Sequence, residues 1–544
     1  MYILGMGGSD HSFAACLVSE NGVVCAVEEE RITREKYSLG PNSLYANCRK
    51  YCLNELNLSI DDIDMIVGND ILHPMTYFPV RKRIELINHH LAHAYSAFYT
   101  IPHDETAILV VDGTGSKVNK ENKIAETVTY AVGRSGDVEI IDKVGGLGWS
   151  KDDEHETLTE NSLGDFYRKF TEEIGFGYLQ DGKTMGLAPY GTDKFYNEVK
   201  SFVKFLGDGQ FEIKINEPYI GEFVQKILSS QANEKDLFQA KADIAWATQT
   251  VLEDCMFYCV DYLHKKAPKD VLCIAGGVGL NSVVNGKIKE KSKFKHVYVP
   301  PYTSDSGTAV GAAFYGYNLL SKNKPLKKSA TYNAFTGHTY SEPEILEALK
   351  SFENADIEYK YYDNVCPIVA EALKEGKIIG WFQEGSEMGP RALGHRSILA
   401  DPRDPEMKDK LNYRVKKREG FRPFAPAVLQ EQAANYFNID FSSPFMLFVV
   451  DVKEDKKKVI PAVTHVDGSA RVQTVDQKEN PIFYNLINEF YKITDVPVLL
   501  NTSFNVLKEP IVETPKDAIT SFYNSQIDLL CIGNWIVTKT KIKD

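Results

Sequence analysis

Ala107-Ile108-Leu109-Val110-Val111-Asp112-Gly113-Thr114-Gly115-Ser116 decides the fold, because five strand-type apolar residues run straight into a glycine-punctuated polar turn headed by a carboxylate. Stretches of the same form recur. Residues 1–4 lead into Gly5, Gly7 and Gly8, and residues 13–18, a turn at Glu20-Asn21-Gly22 and residues 23–27 then read as a hairpin. Residues 271–275 lead into Gly276-Gly277-Val278-Gly279-Leu280-Asn281, and residues 297–301 precede Ser304-Asp305-Ser306-Gly307-Thr308. Helical patterns at 161–174 and 236–264 separate these units, so the class is α/β. A basic, proline-containing run at 321–328 predicts a linker reaching to about residue 360, with an ambiguous helix over 342–352. A new α/β pattern starts at Val365. The expected organisation is a domain over 1–335, a linker region over 336–360 and a domain over 361–544.

The chain has 544 residues, too many for one hydrophobic core, and 43% hydrophobic with 25% charged residues is ordinary globular composition. A formal net charge of -13 argues against non-specific nucleic-acid binding but leaves room for a small anion in a focused pocket. Residues 1–8 lack the pattern of a secretory signal, and no apolar run is long enough to cross a bilayer, which predicts a cytoplasmic protein without membrane contact. The nine cysteines form no Cys-x-x-Cys pair, so they are expected as reduced thiols without a zinc role.

Three constellations carry chemistry. His89 and His93, four apart in helix-compatible sequence, would project from one helix face, and Asp112 and Asp305 stand at strand ends where loops converge. Two imidazoles and two carboxylates suit a divalent first-row metal, with His90 the competitor for His89. Gly276, Gly277 and Gly279 form a nucleotide-type glycine turn; Asn281 and Asn285, one helical turn apart, could hydrogen-bond a ribose or a substrate, or simply be helix polarity. Asp181 to Gly191 reads as a glycine-punctuated loop that could bring Lys183 to an anion. The third constellation is basic: Gly389-Pro390-Arg391-Ala392-Leu393-Gly394, the run Arg414, Lys416, Lys417, Arg418, and Arg422 in a proline-stiffened turn. In an acidic chain this reads as a built phosphate or carboxylate site. His465 to Arg471, with Asn501-Thr502-Ser503-Phe504-Asn505, adds polar groups at apparent strand ends. The usual P-loop pattern is absent, so ATP would bind by another scheme.

Taken in order, these motifs resemble the O-carbamoyltransferases of natural-product and nodulation-factor biosynthesis. They are Gly7 to His11, His89-x-x-x-His93, Asp112-Gly-Thr-Gly, Asp181 to Gly191, Gly276 to Asn281, Gly389 to Gly394, Arg422-Pro-Phe-Ala-Pro, His465-Val-Asp-Gly and Asn501 to Asn505. The resemblance implies an actin-like ATPase (ASKHA, tRNA threonylcarbamoyl transferase-like) N-terminal domain joined to a YrdC-like α/β C-terminal domain, each with an active site. It implies that carbamoyl phosphate and ATP, with Mg2+, give carbamoyl-adenylate in the C-terminal domain, and that carbamoyl then passes to a hydroxyl of a small-molecule acceptor in the N-terminal domain. By the same resemblance Arg391, Lys416, Arg422, Asn501 and Ser503 contact carbamoyl phosphate and ATP. His89, His93, Asp112 and Asp305 ligate a metal, Fe2+ first, with Mn2+ or Zn2+ as alternatives. His11 is the candidate general base, since an imidazole titrates near neutrality and the acceptor is a hydroxyl. Antibiotic or other secondary metabolism is the implied setting, and a homodimer the guess from common symmetry.

The resemblance leaves competitors. A tRNA threonylcarbamoyl transferase-like enzyme or an ASKHA-type kinase or ATPase would share the first half, but neither needs the C-terminal cations. Hydrogenase-maturation carbamoyltransferases carry Cys-rich zinc segments that this sequence lacks. A nucleotide-regulated scaffold would have no reason to keep complete His, Asp, Arg and Lys sets.

Overall fold

The computed structural model describes residues 1–77, 80–119, 123–148, 150–151, 156–321, 334–353, 355–506 and 509–540. The basic run at 322–328 lies outside the described residues. The chain forms two compact units: 1–10, 15–22 and 59–330 in one, and 11–14, 23–58 and 331–544 in the other.

The first unit repeats one plan twice. In one sheet Ile3–Gly7 has Ala14–Ser19 on one side and, on the other, Met65–Asn69 followed by Ile84–Ile87, both added in parallel. In the second sheet Glu105–Val111 has Ile124–Arg134 on one side and, on the other, Val271–Ala275 followed by His296–Tyr298, again in parallel. This duplicated α/β plan meets the actin-like expectation for the N-terminal half. Strands buried on both faces read as unbroken apolar runs, which is why Leu109 to Val111 and Leu272 to Ala275 stood out in the sequence. Ile3–Gly7 is buried throughout, and its glycines admit the Thr308–Ser321 helix: a Cβ at Gly5 would lie 2.1 Å from Ala309 O. The edge strand Asp137–Leu147, half exposed and without alternation, had no sequence signal.

The second unit is built on an eight-stranded sheet in the order Ile357–Tyr361, Trp535–Lys539, Leu529–Ile532, Ile379–Phe382, Arg396–Ala400, Val498–Ser503, Ala425–Leu429, Gln473–Val475. The helices Cys366–Lys374, Pro481–Thr494 and Pro515–Tyr523 share its core with Trp381, Phe483 and Phe490. Two boundaries differ from expectation. Residues 336–360, read as a linker with an ambiguous helix over 342–352, hold that helix as Glu342–Lys350 with its Ser341–Glu344 capping box, and add the unexpected strand Ile357–Tyr361 at the sheet edge. Residues 23–58, read as part of the first domain, belong to the second unit: Arg34 donates to Pro510 O and Ile511 O at 2.9 and 2.6 Å, and Tyr51 to Glu513 at 2.5 Å. Tethers spanning more than 450 residues leave no local trace in sequence.

Candidate active site

The His89–Tyr99 helix begins where Asn88 caps it, its side chain accepting from Leu91 N at 2.9 Å. That start, with the four-residue spacing, brings His89 and His93 onto one buried face. Their Nε2 atoms lie 3.2 Å apart, each is 3.1 Å from Asp112 Oδ2, and each is 3.8 Å from Asp305 Oδ1. The donor atoms of these four residues all lie within 4.8 Å of one another, and all four residues are buried. Burial alone would raise Asp112, but the bonds from His89 and His93 hold it well below the usual carboxylate range; burial alone would lower His93, but Asp112 and Asp305 push it up to about 9. Two carboxylates offset the charge of a divalent cation, and two inward-facing imidazole nitrogens complete an N2O2 set, so the residues fit such an ion. His90 turns away to Thr129 Oγ1 at 2.9 Å, burial pulls it down to about 4, and it stands outside the group that His89 joins.

The surroundings fix each donor. Asp112 Oδ1 accepts from Gly113 N and Gly277 N at 2.9 and 3.1 Å, which leaves Oδ2 to the histidines. Gly276 holds φ +91, and a Cβ there would sit 2.2 Å from Val111 O, so only glycine allows this approach. Asn69 reaches His89 Nδ1 at 2.6 Å and Gly8 O at 2.7 Å, and Ser9 Oγ donates to Asp305 Oδ2 at 2.5 Å. Glu126 Oε1 accepts from Asn88 Nδ2, His90 N and Ser116 N at 3.0, 3.1 and 3.0 Å, and its other oxygen pairs with Lys143. A carboxylate at a helix N-terminus is well placed electrostatically. Nothing in the sequence marked Glu126 or Asn69.

In the second unit, antiparallel register gathers the basic motifs. Ser397 pairs with Ser503 and Ala425 with Asn501, so the starts of two strands flank the end of a third, and Gln473–Val475 starts beside them in parallel. Arg391, Arg422 and Arg471 each precede one of these starts. Lys416 is buried, its Nζ bonded to Ser503 O, Asn505 Oδ1 and Asn505 O at 2.5, 2.8 and 3.1 Å. It ends a π-helical turn, Leu411–Lys416, whose next residue Lys417 takes φ 45. Burial and then Arg418 and Arg422 push Lys416 well below its usual range, burial and Arg422 bring Arg391 down to about 10, and burial followed by Arg391, Arg418 and Arg422 depresses Arg471. The Nε atoms of Arg391 and Arg471 are inaccessible and without a hydrogen-bond acceptor. These cations repel one another, and two of their inaccessible guanidinium nitrogens have no acceptor. Arg471 was visible only as the end of a polar cluster.

Other expected residues have local duties. Asn281 caps the Ser282–Lys291 helix, accepting from Val284 N at 3.2 Å, and donates to Gln249 at 2.9 Å; Asn285 braces Gly279 O at 2.7 Å. Lys183 lies on a helix, Asp181–Leu187, rather than in a loop, with its Nζ over the Phe176 ring. Gly277 opens a 3-10 turn, Gly277–Leu280, that contains Gly279. Asn501 Nδ2 holds Ala392 O and Gln473 Oε1 at 3.2 and 2.8 Å, while Ser503 Oγ donates to Asn505 Oδ1 at 2.8 Å. His11 falls in the second unit, its Nδ1 2.9 Å from Ser12 Oγ. All nine cysteines are free and buried, and among the described residues no helix is long and apolar enough to cross a membrane.

The family model for the carbamoyltransferase N-terminus matches residues 73–314, and that for the carbamoyltransferase C-terminus matches residues 370–539. The uncharacterized protein sll1178 of Synechocystis sp. is 32% identical, covering 99% of this chain and 97% of its own. The nodulation protein NolNO of Sinorhizobium fredii is 34% identical over 97% of this chain and 79% of its own. A solved structure of full-length HypF in a phosphate- and nucleotide-bound form covers 60% of this chain and 56% of that one at 14% identity and TM-score 0.40.

Proposed function

The chain belongs to the carbamoyltransferase family and is an enzyme of that type, and on that premise we propose an ATP-dependent O-carbamoyl transfer in two stations. In the second unit, Arg391 and Arg422 hold carbamoyl phosphate and the ATP triphosphate beside the charge of Lys416, ATP entering with Mg2+. Water cleaves the carbamoyl–phosphate anhydride to carbamate and phosphate; a carbamate oxygen then attacks the α-phosphorus of ATP, and pyrophosphate leaves. Negative charge gathers on phosphoryl oxygens in both steps, and preorganised cations stabilise it without reorganising. Ser503 and Asn505 fix Lys416 by accepting its hydrogen bonds. Asn501 fixes the turn that carries Arg391.

His89, His93, Asp112 and Asp305 would hold a divalent ion, iron by the family resemblance, which when bound supplies Lewis-acid polarisation. His11 takes the proton from the acceptor hydroxyl as its oxygen attacks the carbamoyl carbon, and AMP departs. The acceptor class is a hydroxylated small molecule, a natural product or a sugar. The observation that carries the reading is the cluster of mutually repelling cations, two of whose inaccessible guanidinium nitrogens have no acceptor.

The test is incubation with ATP, carbamoyl phosphate and a panel of hydroxylated acceptors, read by a mass gain of one carbamoyl group. His11→Asn should lower transfer and spare pyrophosphate release; equal loss of both would remove His11 from its role.

A further inference from the structure

Arg31 and Gly389 lie 358 residues apart, yet the buried Arg31 donates from Nη2 to Gly389 O at 2.7 Å, while its Nε sits 3.2 Å from Glu28 Oε2. Gly389 holds φ +108 and is followed by Pro390, which has no N–H to offer, and then by Arg391. Downstream of Arg391 the turn is held by several side chains: Asn501 on Ala392 O, Gln473 and Asn480 on Leu393 O, and Glu387 on Leu393 N. Upstream, Arg31 supplies the side-chain grip, two residues before the guanidinium that the anion site needs in place.

The stretch around Arg31 is itself locked into the second unit. Glu29 accepts from Asn47 N and Cys48 N at 2.9 and 2.6 Å, Glu30 accepts from Tyr37 N at 2.6 Å, and Tyr37 O accepts from Ser12 N at 2.7 Å. Tyr37 and Ser38 both take φ 58 without being glycine, a conformation kept only where the surroundings enforce it. Tyr37 is near enough to bear electrostatically on Arg391 and Arg422, as is Lys36 on Lys416.

We propose that residues 28–38 are a working part of the anion site, with Arg31 the positioning residue that aims Arg391 through the Gly389 carbonyl. This rests on the reading that the Arg391 cluster takes carbamoyl phosphate. It also means that a fragment starting near residue 331 lacks part of the site, although it contains every cation of the cluster's C-terminal motifs.

The test is calorimetric titration of carbamoyl phosphate into the full-length protein and its Arg31→Met, Arg31→Lys, Arg391→Met and double variants. Arg31→Met should weaken binding about tenfold, because small misplacements of a positioned group cost one to two powers of ten. Arg31→Lys, which keeps a buried donor, should recover part of the loss, and Arg31→Met should have no further effect once Arg391 is Met. Wild-type affinity in Arg31→Met, or the same loss in the Arg391→Met background, would overturn the inference. If Arg31→Met does not fold, Arg31→Lys in the two backgrounds supplies the same comparison. Failure of the wild-type protein to bind carbamoyl phosphate would instead overturn the reading of the cluster.

Discussion

Replacing Arg391 by Met should move stability and binding in opposite directions. Burial and then Arg422 hold this guanidinium well below its ordinary range, at about 10. For a base, a depressed value means that the fold disfavours the charged form, so the penalty is present at every pH below about 10 and is relieved only as the group loses its proton above that. The shift corresponds to roughly 3 kcal/mol at 1.36 kcal/mol per pH unit, and screening of a half-buried group brings this to about 1–2 kcal/mol. Methionine fills much of the same volume without the charge, so Arg391→Met should raise stability by about that amount. The same change removes charge-assisted bonds to an oxyanion worth about 1.5–3 kcal/mol each, so two lost bonds weaken carbamoyl phosphate binding at least about 100-fold. Urea unfolding monitored by tryptophan fluorescence, together with calorimetric titration of carbamoyl phosphate, reads both quantities. A less stable variant with unchanged affinity would refute the reasoning, because it would make Arg391 a structural ion-pair partner.

Three other outcomes follow from the geometry. Glu126→Gln breaks the pair with Lys143 and loosens the start of the His89–Tyr99 helix; it should cost about 3 kcal/mol and lower metal affinity about 10-fold, measured by metal content after competition with a chelator. Gly276→Ala forces a Cβ to 2.2 Å from Val111 O at φ +91, and should destabilise the first unit by more than about 2 kcal/mol in thermal unfolding while leaving carbamoyl phosphate binding by the second unit in place. His465 is pushed down to about 4, chiefly by burial, so its contribution is complete above the ordinary 6.5 and is lost as pH falls from there towards 4. The loss should reach roughly 1–3 kcal/mol, and His465→Gln should flatten the stability profile over that window.

How much of this was legible in the sequence depended on range. Asp112, Gly276 and His89 were readable because each sits beside its own signal: an apolar strand, a glycine run or a four-residue spacing. Gathering Arg391, Arg422 and Ser503 around the ends of neighbouring strands needed strand register, which the motifs imply only once the antiparallel order is known. Arg31 was invisible, since its grip on Gly389 spans most of the chain. The segment 336–360 misled because a basic run next to it suggested a linker, while the strand Ile357–Tyr361, though it alternates apolar and polar residues, is only five residues long and largely exposed at a sheet edge. Asn281 and Lys183 sat in motifs with nucleotide-like composition, but the first is spent on a helix cap and the second stands on a helix.

The two-station account is tested most directly by carbamoyl phosphate-dependent pyrophosphate release from ATP in an Asp112→Asn variant, with carbamoylated acceptor followed in the same reaction. The account predicts pyrophosphate release at the wild-type rate and no carbamoylated product. Loss of pyrophosphate release together with transfer would contradict it, because activation would then depend on the His89, His93, Asp112 and Asp305 group rather than on the cations of the second unit.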